Sequence, residues 1–192
     1  CGVAVTELEA LEEYPDSCFV EDVAVVTRKC AIITNPGAAS RNGEKEHIVD
    51  TIKKFYKEDQ IAYIKSPGTL EGGDVMMVGD HFYVGRSART NEEGIRQFIE
   101  ILESYGLSGS EVTLEKVLHL KTGVNYLENN TFLVSGEFLE KEEFKQARKN
   151  TLELILSNHD RKCLTCSRNQ NCELQKLCDE LGVTGITYEG IM

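Results

Sequence analysis

The sequence predicts an α/β fold in which pairs of short strands alternate with single helices, followed by a small helical segment that carries clustered cysteines. Runs rich in β-branched residues recur in pairs along the first part of the chain. An amphipathic helical pattern follows each of the first two groups of strands. Beyond about residue 140 the pattern becomes helical and then enters the cysteine loop. We therefore expect two domains, residues 1–140 and residues 141–192.

The first strands are predicted over residues 3–8 and 22–34. An Asn-Pro-Gly turn ends the second run, and a helix is expected over residues 45–57. Three strands follow in the segments IAYIK, DVMMVG and HFYVG, and a tight turn at Gly79-Asp80 joins the last two.

A second amphipathic helix is predicted over residues 91–105, because its apolar residues share one face: Ile95, Phe98, Ile99 and Leu102. The strand segment EVTLEKVLHLK and a hairpin with Asn129-Asn130 at its turn complete a third group. Residues 142–158 are then expected to form one helix, which leads into the cysteine loop.

Composition limits the possible partners. The chain has 192 residues, a net charge of −11 and 41% hydrophobic residues, which is typical of a soluble globular protein. Excess negative charge disfavours phosphate backbones, so nucleic acid is not an expected partner. No apolar run approaches the ~20 residues that span a bilayer. Seven cysteines, four of them clustered beside a histidine, indicate metal binding in a reducing compartment, and we expect the cytoplasm.

An acidic cluster lies in the segment PDSCFVED, where Asp16, Glu21 and Asp22 fall within eight residues. Carboxylates crowded in this way need a cation. The guanidinium group of a ligand would supply one through bidentate hydrogen bonds. From the residue types alone, a solvated acidic turn remains an alternative.

Further polar motifs follow in the order SRNGEKE, LEGGD, SARTN and VLHLKTG. Together with PDSCFVED they resemble dimethylarginine dimethylaminohydrolase, of the guanidine-modifying pentein superfamily, over about residues 1–140. This resemblance implies a five-bladed α/β propeller, present here in truncated form, with a central active site for a small arginine-like ligand.

The resemblance also implies roles for seven side chains. Three carboxylates would hold the methylated guanidinium: Asp16, Glu21 and Asp22. Arg41 and Arg89 would hold the carboxylate of the amino acid. His119 would be the general acid/base, oriented by Glu71. The charges agree with these roles, because carboxylates suit one end of an arginine-like molecule and arginines suit the other.

The family's reaction also needs a cysteine thiolate that attacks the guanidinium carbon. In the family this cysteine lies further beyond the histidine than this sequence extends. The string LTCS at residues 164–167 imitates the closing motif, but it comes too early and inside a loop better explained by metal binding. We therefore expect a truncated propeller that lacks its nucleophile.

The cysteine loop has the spacing H-x3-C-x2-C-x5-C, formed by His159, Cys163, Cys166 and Cys172. One imidazole and three thiolates suit either zinc or an iron–sulfur cluster. Two other interpretations stay open: His159 as a helix C-cap, and a loop that binds nothing.

The flanks of this loop, residues 145–186, resemble the His(Cys)3-ligated [4Fe-4S] region of iron-only hydrogenases and of the large iron–sulfur subunit of respiratory NADH dehydrogenase. This resemblance favours a [4Fe-4S] cluster over zinc, with His159 and the three cysteines each ligating one iron. Electron transfer would require a redox partner protein.

Three functions are therefore predicted for a chain that reads as a chimera. The first is a [4Fe-4S]-binding module on a truncated amidinohydrolase-like domain. The second is an amidinohydrolase that converts methylated arginines to citrulline and methylamines. The third is a fusion fragment without function.

Overall fold

The computed structural model describes residues 2–127, 132–145 and 152–153. The strands in these residues form three sheets of three strands each, and every sheet keeps its strands in chain order. In each sheet the first two strands form an antiparallel pair, and the third strand runs parallel to the second. A helix connects the second strand to the third in each unit. This repeated strand–strand–helix–strand unit confirms the predicted α/β class.

The first unit contains β1 (Ala24–Val26), β2 (Ala31–Ile33), α1 (Glu44–Ile52) and β3 (Ile61–Tyr63). The single strand predicted over residues 22–34 is instead a hairpin. The Thr27 hydroxyl causes the turn, because it accepts the backbone N–H groups of Lys29 and Cys30.

Helix α1 ends at Ile52, five residues before the predicted end. Ile48 and Ile52 are buried in a small core with residues of β2, whereas Phe55 is 65% exposed. Another helical turn would therefore bury no further apolar surface. Instead the chain turns back, and the Tyr56 hydroxyl donates to the Thr27 carbonyl at 2.6 Å.

The second unit contains β4 (Val75–Val78), β5 (His81–Arg86), α2 (Glu92–Ser104) and β6 (Ser108–Thr113). The predicted helix over residues 91–105 is confirmed. Asn91 caps α2, since its side chain accepts the Gly94 N–H at 2.8 Å. The buried face of α2 packs with Phe82 and Val84 of β5 in the largest core cluster.

The strand predicted in EVTLEKVLHLK is shorter than expected: β6 ends at Thr113, the third residue of this segment. Residues 114–118 form a loop that leads to His119, and the short helix α3 (Leu120–Gly123) follows. This loop connects the second unit to the third.

The third unit contains β7 (Val124–Tyr126), β8 (Phe132–Val134), α4 (Glu142–Lys145) and β9 (Leu152–Glu153). The prediction of one helix over residues 142–158 is wrong at β9, which pairs in parallel with β8. Here backbone pairing with β8 outweighs the helical pattern of the sequence, and it gives this sheet a third strand, as in the other two units. The Asn129-Asn130 turn lies outside the described residues.

The strand predicted over residues 3–8 is absent, since residues 2–11 form neither helix nor strand. Val5 is 87% exposed. A strand needs a neighbour for its backbone hydrogen bonds, and the described part of the chain offers none here. The three described sheets do not close into a barrel, so within these residues the propeller is partial. No described helix combines the length and the apolar character that crossing a membrane requires.

Candidate active site

A cavity of about 440 Å³ opens where loops that lie before, within and between the three units meet. All seven residues that the sequence assigned to a guanidine site line it: Asp16, Glu21, Asp22, Arg41, Glu71, Arg89 and His119. The cavity is also lined by three residues that were not predicted from the sequence: Phe19, Leu118 and Lys121. The seven predicted residues, which are up to 103 positions apart in the sequence, thus share one cavity.

Two glycines allow the segments to approach one another. A side chain on Gly72 would meet the Glu21 carbonyl oxygen at 1.8 Å. A side chain on Gly73 would meet the His119 ring at 2.9 Å and Asp22 Oδ1 at 3.0 Å. The Glu-Gly-Gly-Asp segment therefore fits between the acidic turn and His119 only because it lacks side chains at these positions.

His119 lies between two buried carboxylates. Its Nε2 is 3.4 Å from Glu71 Oε2, and its Nδ1 is 3.3 Å from Asp74 Oδ1. The contact with Asp74 is a charge contact, because Nδ1 has no well-directed hydrogen-bond partner among the described residues. The pKa of His119 is raised, first by Asp74 and then by Asp22 and Glu71, although burial acts in the opposite direction. At neutral pH the ring is therefore more protonated than an exposed histidine.

Asp74 is fully buried and holds three donors. Its Oδ2 accepts the Ser87 and Thr90 hydroxyls, each at 2.7 Å, and its Oδ1 accepts the Leu120 N–H at 2.9 Å. In the sequence, Asp74 is marked only by its place in the LEGGD motif. Its contact with His119 could not be predicted from local sequence patterns, because 45 positions separate the two residues.

Asp22 is also buried, and protein groups contact both of its oxygens. Oδ1 accepts the Gly73 N–H at 2.7 Å, and Oδ2 pairs with Arg41 Nη1 at 2.5 Å. The Ala38 N–H donates to Glu71 Oε1 at 3.1 Å, which leaves Glu71 Oε2 beside His119. Ligand atoms of Asp22, Glu71 and His119 lie within 4.8 Å of one another, a set that could hold a metal ion or an organic cation.

Arg41 is buried and its guanidinium binds protein groups on every side. Nε and Nη2 donate to Glu44 at 3.0 and 2.7 Å, and Nη1 donates to Asp22. Nη2 also reaches the Asp16 and Phe19 carbonyls. Glu44 is the main cause of the raised pKa of Arg41; burial lowers this pKa, and Asp22 raises it further. To bind the carboxylate of a ligand, as predicted from the sequence, Arg41 would have to exchange one of these partners.

Arg89 is half-buried at the cavity wall and makes no ion pair with the described residues. Its guanidinium is therefore the cation best placed to receive a carboxylate. Lys121 Nζ pairs with Glu21 Oε2 at 2.5 Å, and the Glu21 side chain is 62% exposed. Glu21 thus lies at the open rim of the cavity.

Neither of the cysteines in the described part of the chain lines the cavity. Cys18 is exposed and Cys30 is buried. The four predicted metal ligands lie outside the described residues: His159, Cys163, Cys166 and Cys172.

The dimethylarginine dimethylaminohydrolase of Pseudomonas aeruginosa is 59% identical to this chain over 145 residues. The similarity covers 76% of this chain and 57% of that relative. A solved structure of this enzyme from the same organism, a cysteine-to-serine mutant complexed with citrulline, has a TM-score of 0.71 and 59% identity. It covers 74% of this chain and 55% of that chain. This chain therefore spans little more than half the length of the relatives that it matches.

Residues 148–187 match a second family, whose description is the NADH-ubiquinone oxidoreductase-G iron-sulfur binding region. The NADP-reducing hydrogenase subunit HndD of Solidesulfovibrio fructosivorans is 43% identical over 44 residues, or 23% of this chain and 8% of that subunit. The chain therefore contains a region with the α/β fold of the dimethylarginine dimethylaminohydrolases, together with a short segment similar to iron–sulfur proteins.

Proposed function

We propose that the cavity binds the guanidinium of an arginine-like molecule and is the substrate-binding part of an amidinohydrolase site. One observation carries this proposal. Four buried carboxylates lie at or near the cavity: Asp22, Glu44, Glu71 and Asp74. Among the described residues, Arg41 is the one buried side chain with a permanent positive charge. Protonation of His119 still leaves an excess of negative charge. Buried carboxylates require compensation, so the cavity favours a cationic ligand.

The geometry supports an orientation for such a ligand. The guanidinium would lie between Asp22 and Glu71, next to His119, and Asp16 would reach it from the side. The carboxylate of the amino acid would bind Arg89. In this proposal Arg41 holds Asp22 and Glu44 in place, instead of binding the ligand as the resemblance implies.

In the chemistry that we propose, a nucleophile attacks the guanidinium carbon and an amine leaves with its electron pair. His119, with its raised pKa, would donate the proton to this amine. Hydrolysis of the resulting adduct by water would give the ureido product. The attacking group has to be a thiolate or an equivalent nucleophile, and neither described cysteine lines the cavity. We therefore propose that the chain binds arginine-like molecules without turning them over on its own.

Calorimetry on the whole chain tests this binding. Arginine and dimethylarginine should bind more tightly than citrulline, which has a similar shape but no positive charge. Glu71→Gln removes one charge with little change of shape and should weaken arginine binding about tenfold or more. Glu100→Gln is the matched control, because Glu100 pairs with Arg96 on the exposed face of α2 and does not line the cavity. Equal affinities for arginine and citrulline would refute the proposal.

We also propose that the C-terminal segment binds a [4Fe-4S] cluster through His159, Cys163, Cys166 and Cys172. Similarity to an iron–sulfur family over residues 148–187 supports this, because that range contains all four ligands. Their donor set also fits, since thiolates and imidazole both ligate iron in such clusters. The division into domains 1–140 and 141–192 likewise remains a proposal, and β9 joins the third sheet from beyond that boundary.

Anaerobic reconstitution with iron and sulfide tests the cluster. The expected result is about four irons and four acid-labile sulfides per chain. Changing Cys163, Cys166 or Cys172 to serine should abolish or severely reduce loading, whereas Cys178→Ser should not. Uptake of stoichiometric zinc without sulfide would show that the segment is a zinc site instead.

A further inference from the structure

We propose that Glu137 is a positioning residue for His119, because its carboxylate fastens the loop that carries His119 into the cavity. This inference deepens the proposed function and rests on the role that it assigns to His119. Glu137 lies in the third unit, just after β8, and does not line the cavity.

The Glu137 carboxylate binds three consecutive backbone N–H groups. Oε2 accepts the Glu115 N–H at 2.9 Å, and Oε1 accepts the Lys116 and Val117 N–H groups at 2.9 and 3.3 Å. The Glu137 side chain is 7% exposed. Burial would by itself raise the pKa of Glu137, but the N–H groups of the loop and the Lys141 ammonium lower it below its ordinary value. The carboxylate is therefore ionised at neutral pH and holds the loop as a charged acceptor.

The loop has few other attachments. Before it, the Leu114 N–H donates to the Arg86 carbonyl at 3.0 Å, and after it, the Leu120 N–H donates to Asp74. Between these two points the N–H groups of residues 115–117 have no acceptor other than Glu137 among the described residues. Leu118 is 56% exposed, whereas Leu114 and Val117 are partly buried against a core cluster, so the loop is held by this packing and by the Glu137 carboxylate.

The backbone at Glu137 is anchored by the residue that follows it. The next residue, Phe138, is fully buried, and its ring lies so close to Gly123 that a side chain there would meet it at 2.3 Å. The third unit thus supports the loop of His119 in two ways: Glu137 accepts its backbone N–H groups, and Val117 packs against the core cluster that contains Phe138.

This arrangement has a consequence for the His119 ring. Its pKa is raised by carboxylates at 3.3 and 3.4 Å, and such interactions weaken with distance. Without the Glu137 carboxylate, no described hydrogen bond would hold the backbone between Leu114 and Leu120, and only the side-chain packing of Leu114 and Val117 would remain there. The ring would then move away from Asp74 and Glu71 for part of the time, and its pKa would fall.

Two measurements on the whole chain test the proposal: hydrogen exchange of the amides of residues 115–117, and an NMR titration of the four histidines with His119 assigned through His119→Asn. Glu137→Gln keeps an acceptor but no charge, and Glu137→Asp keeps the charge but is one methylene too short. Both should reduce amide protection about tenfold. Both should also lower the pKa of His119 by about half a unit.

The Asp variant separates positioning from a distant charge effect, because it retains the carboxylate. Glu115→Gln is the matched control, since it removes an exposed charge from the same loop and should change neither measurement. Unchanged protection in both Glu137 variants would overturn the proposal, as would lost protection with an unchanged His119 pKa. Neither measurement uses a ligand, so failure of arginine binding and failure of this inference give different results.

Discussion

Buried charges at individual residues hold this site together, and Asp74 shows how. One carboxylate there accepts two hydroxyls and a backbone N–H and also lies against His119. The same residue therefore fixes the local backbone and raises the pKa of the catalytic candidate. Arg41 forms ion pairs with both Asp22 and Glu44 and so holds these two buried carboxylates together.

Asp74→Asn should lower the pKa of His119, since the largest cause of its increase is removed while burial, which lowers it, stays. Because the wild-type pKa is raised in the folded state, the stability from protonated His119 is fully present below about pH 6.5 and is lost as pH rises through the folded-state pKa. In Asp74→Asn this pH dependence should shrink.

Urea unfolding between pH 5 and pH 9 measures this change. The variant should also lose about 1–3 kcal/mol at all pH values, because an amide cannot accept from all three donors. His119→Asn is the control for the pH-dependent part, and it should remove that part without the uniform loss. The same pH dependence in wild type and Asp74→Asn would contradict the assignment.

At the scale of elements, helix α2 is the best-determined part of the fold. Its apolar stripe, which the sequence predicted, buries Ile95, Phe98 and Leu102, and Asn91 caps its N-terminus. The cap has a second function that the sequence does not show. Asn91 Oδ1 also accepts the Thr69 N–H, and its Nδ2 donates to the Pro67 carbonyl. Helix α2 therefore orients the segment that leads to Glu71.

Asn91→Ala should destabilise the protein by about 2 kcal/mol, of which about 1 kcal/mol is the lost cap and the rest the lost bonds to Pro67 and Thr69. Asn91→Asp keeps both acceptor contacts and loses only the bond to Pro67, so it should cost clearly less. Chemical denaturation compares the two variants. An equal loss in both would show that the acceptor contacts do not stabilise α2 and its neighbour.

At the scale of the whole molecule, three units of the same topology meet around one cavity, and each supplies different chemistry to it. Segments that precede or lie within the first unit contribute Asp22 and Arg41, the second contributes Arg89 from its β5–α2 connection, and the loop before the third contributes His119. The cavity therefore depends on the packing of the units, and no single unit provides all of its lining.

The proposed function, in which the chain supplies binding groups and a proton donor but no nucleophile, predicts that the purified chain releases no measurable citrulline from dimethylarginine. A colorimetric citrulline assay, at substrate concentrations above the affinity found by calorimetry, checks this prediction. If citrulline does appear, Cys166→Ser tests whether the LTCS string at residues 164–167 supplies the thiolate after all. Retained release in that variant would point to another cysteine.

The sequence by itself determined the α/β class, the position of α2 and the hairpin of DVMMVG and HFYVG, and through its motifs and the family that they resemble it indicated seven of the residues that line the cavity. These depend on periodicity, turn residues and motif order, which are properties of neighbouring positions in the chain. Helix propensity misled at residues 152–153, where pairing with β8 decides for a strand. Only the tertiary structure decided that Arg41 is bound by Glu44 and Asp22, that Asp74 contacts His119, and that Glu137 holds the loop before it. Apart from the Arg41–Glu44 pair, these are contacts between distant positions, and their energy depends on separations in space that a linear order of residues does not contain.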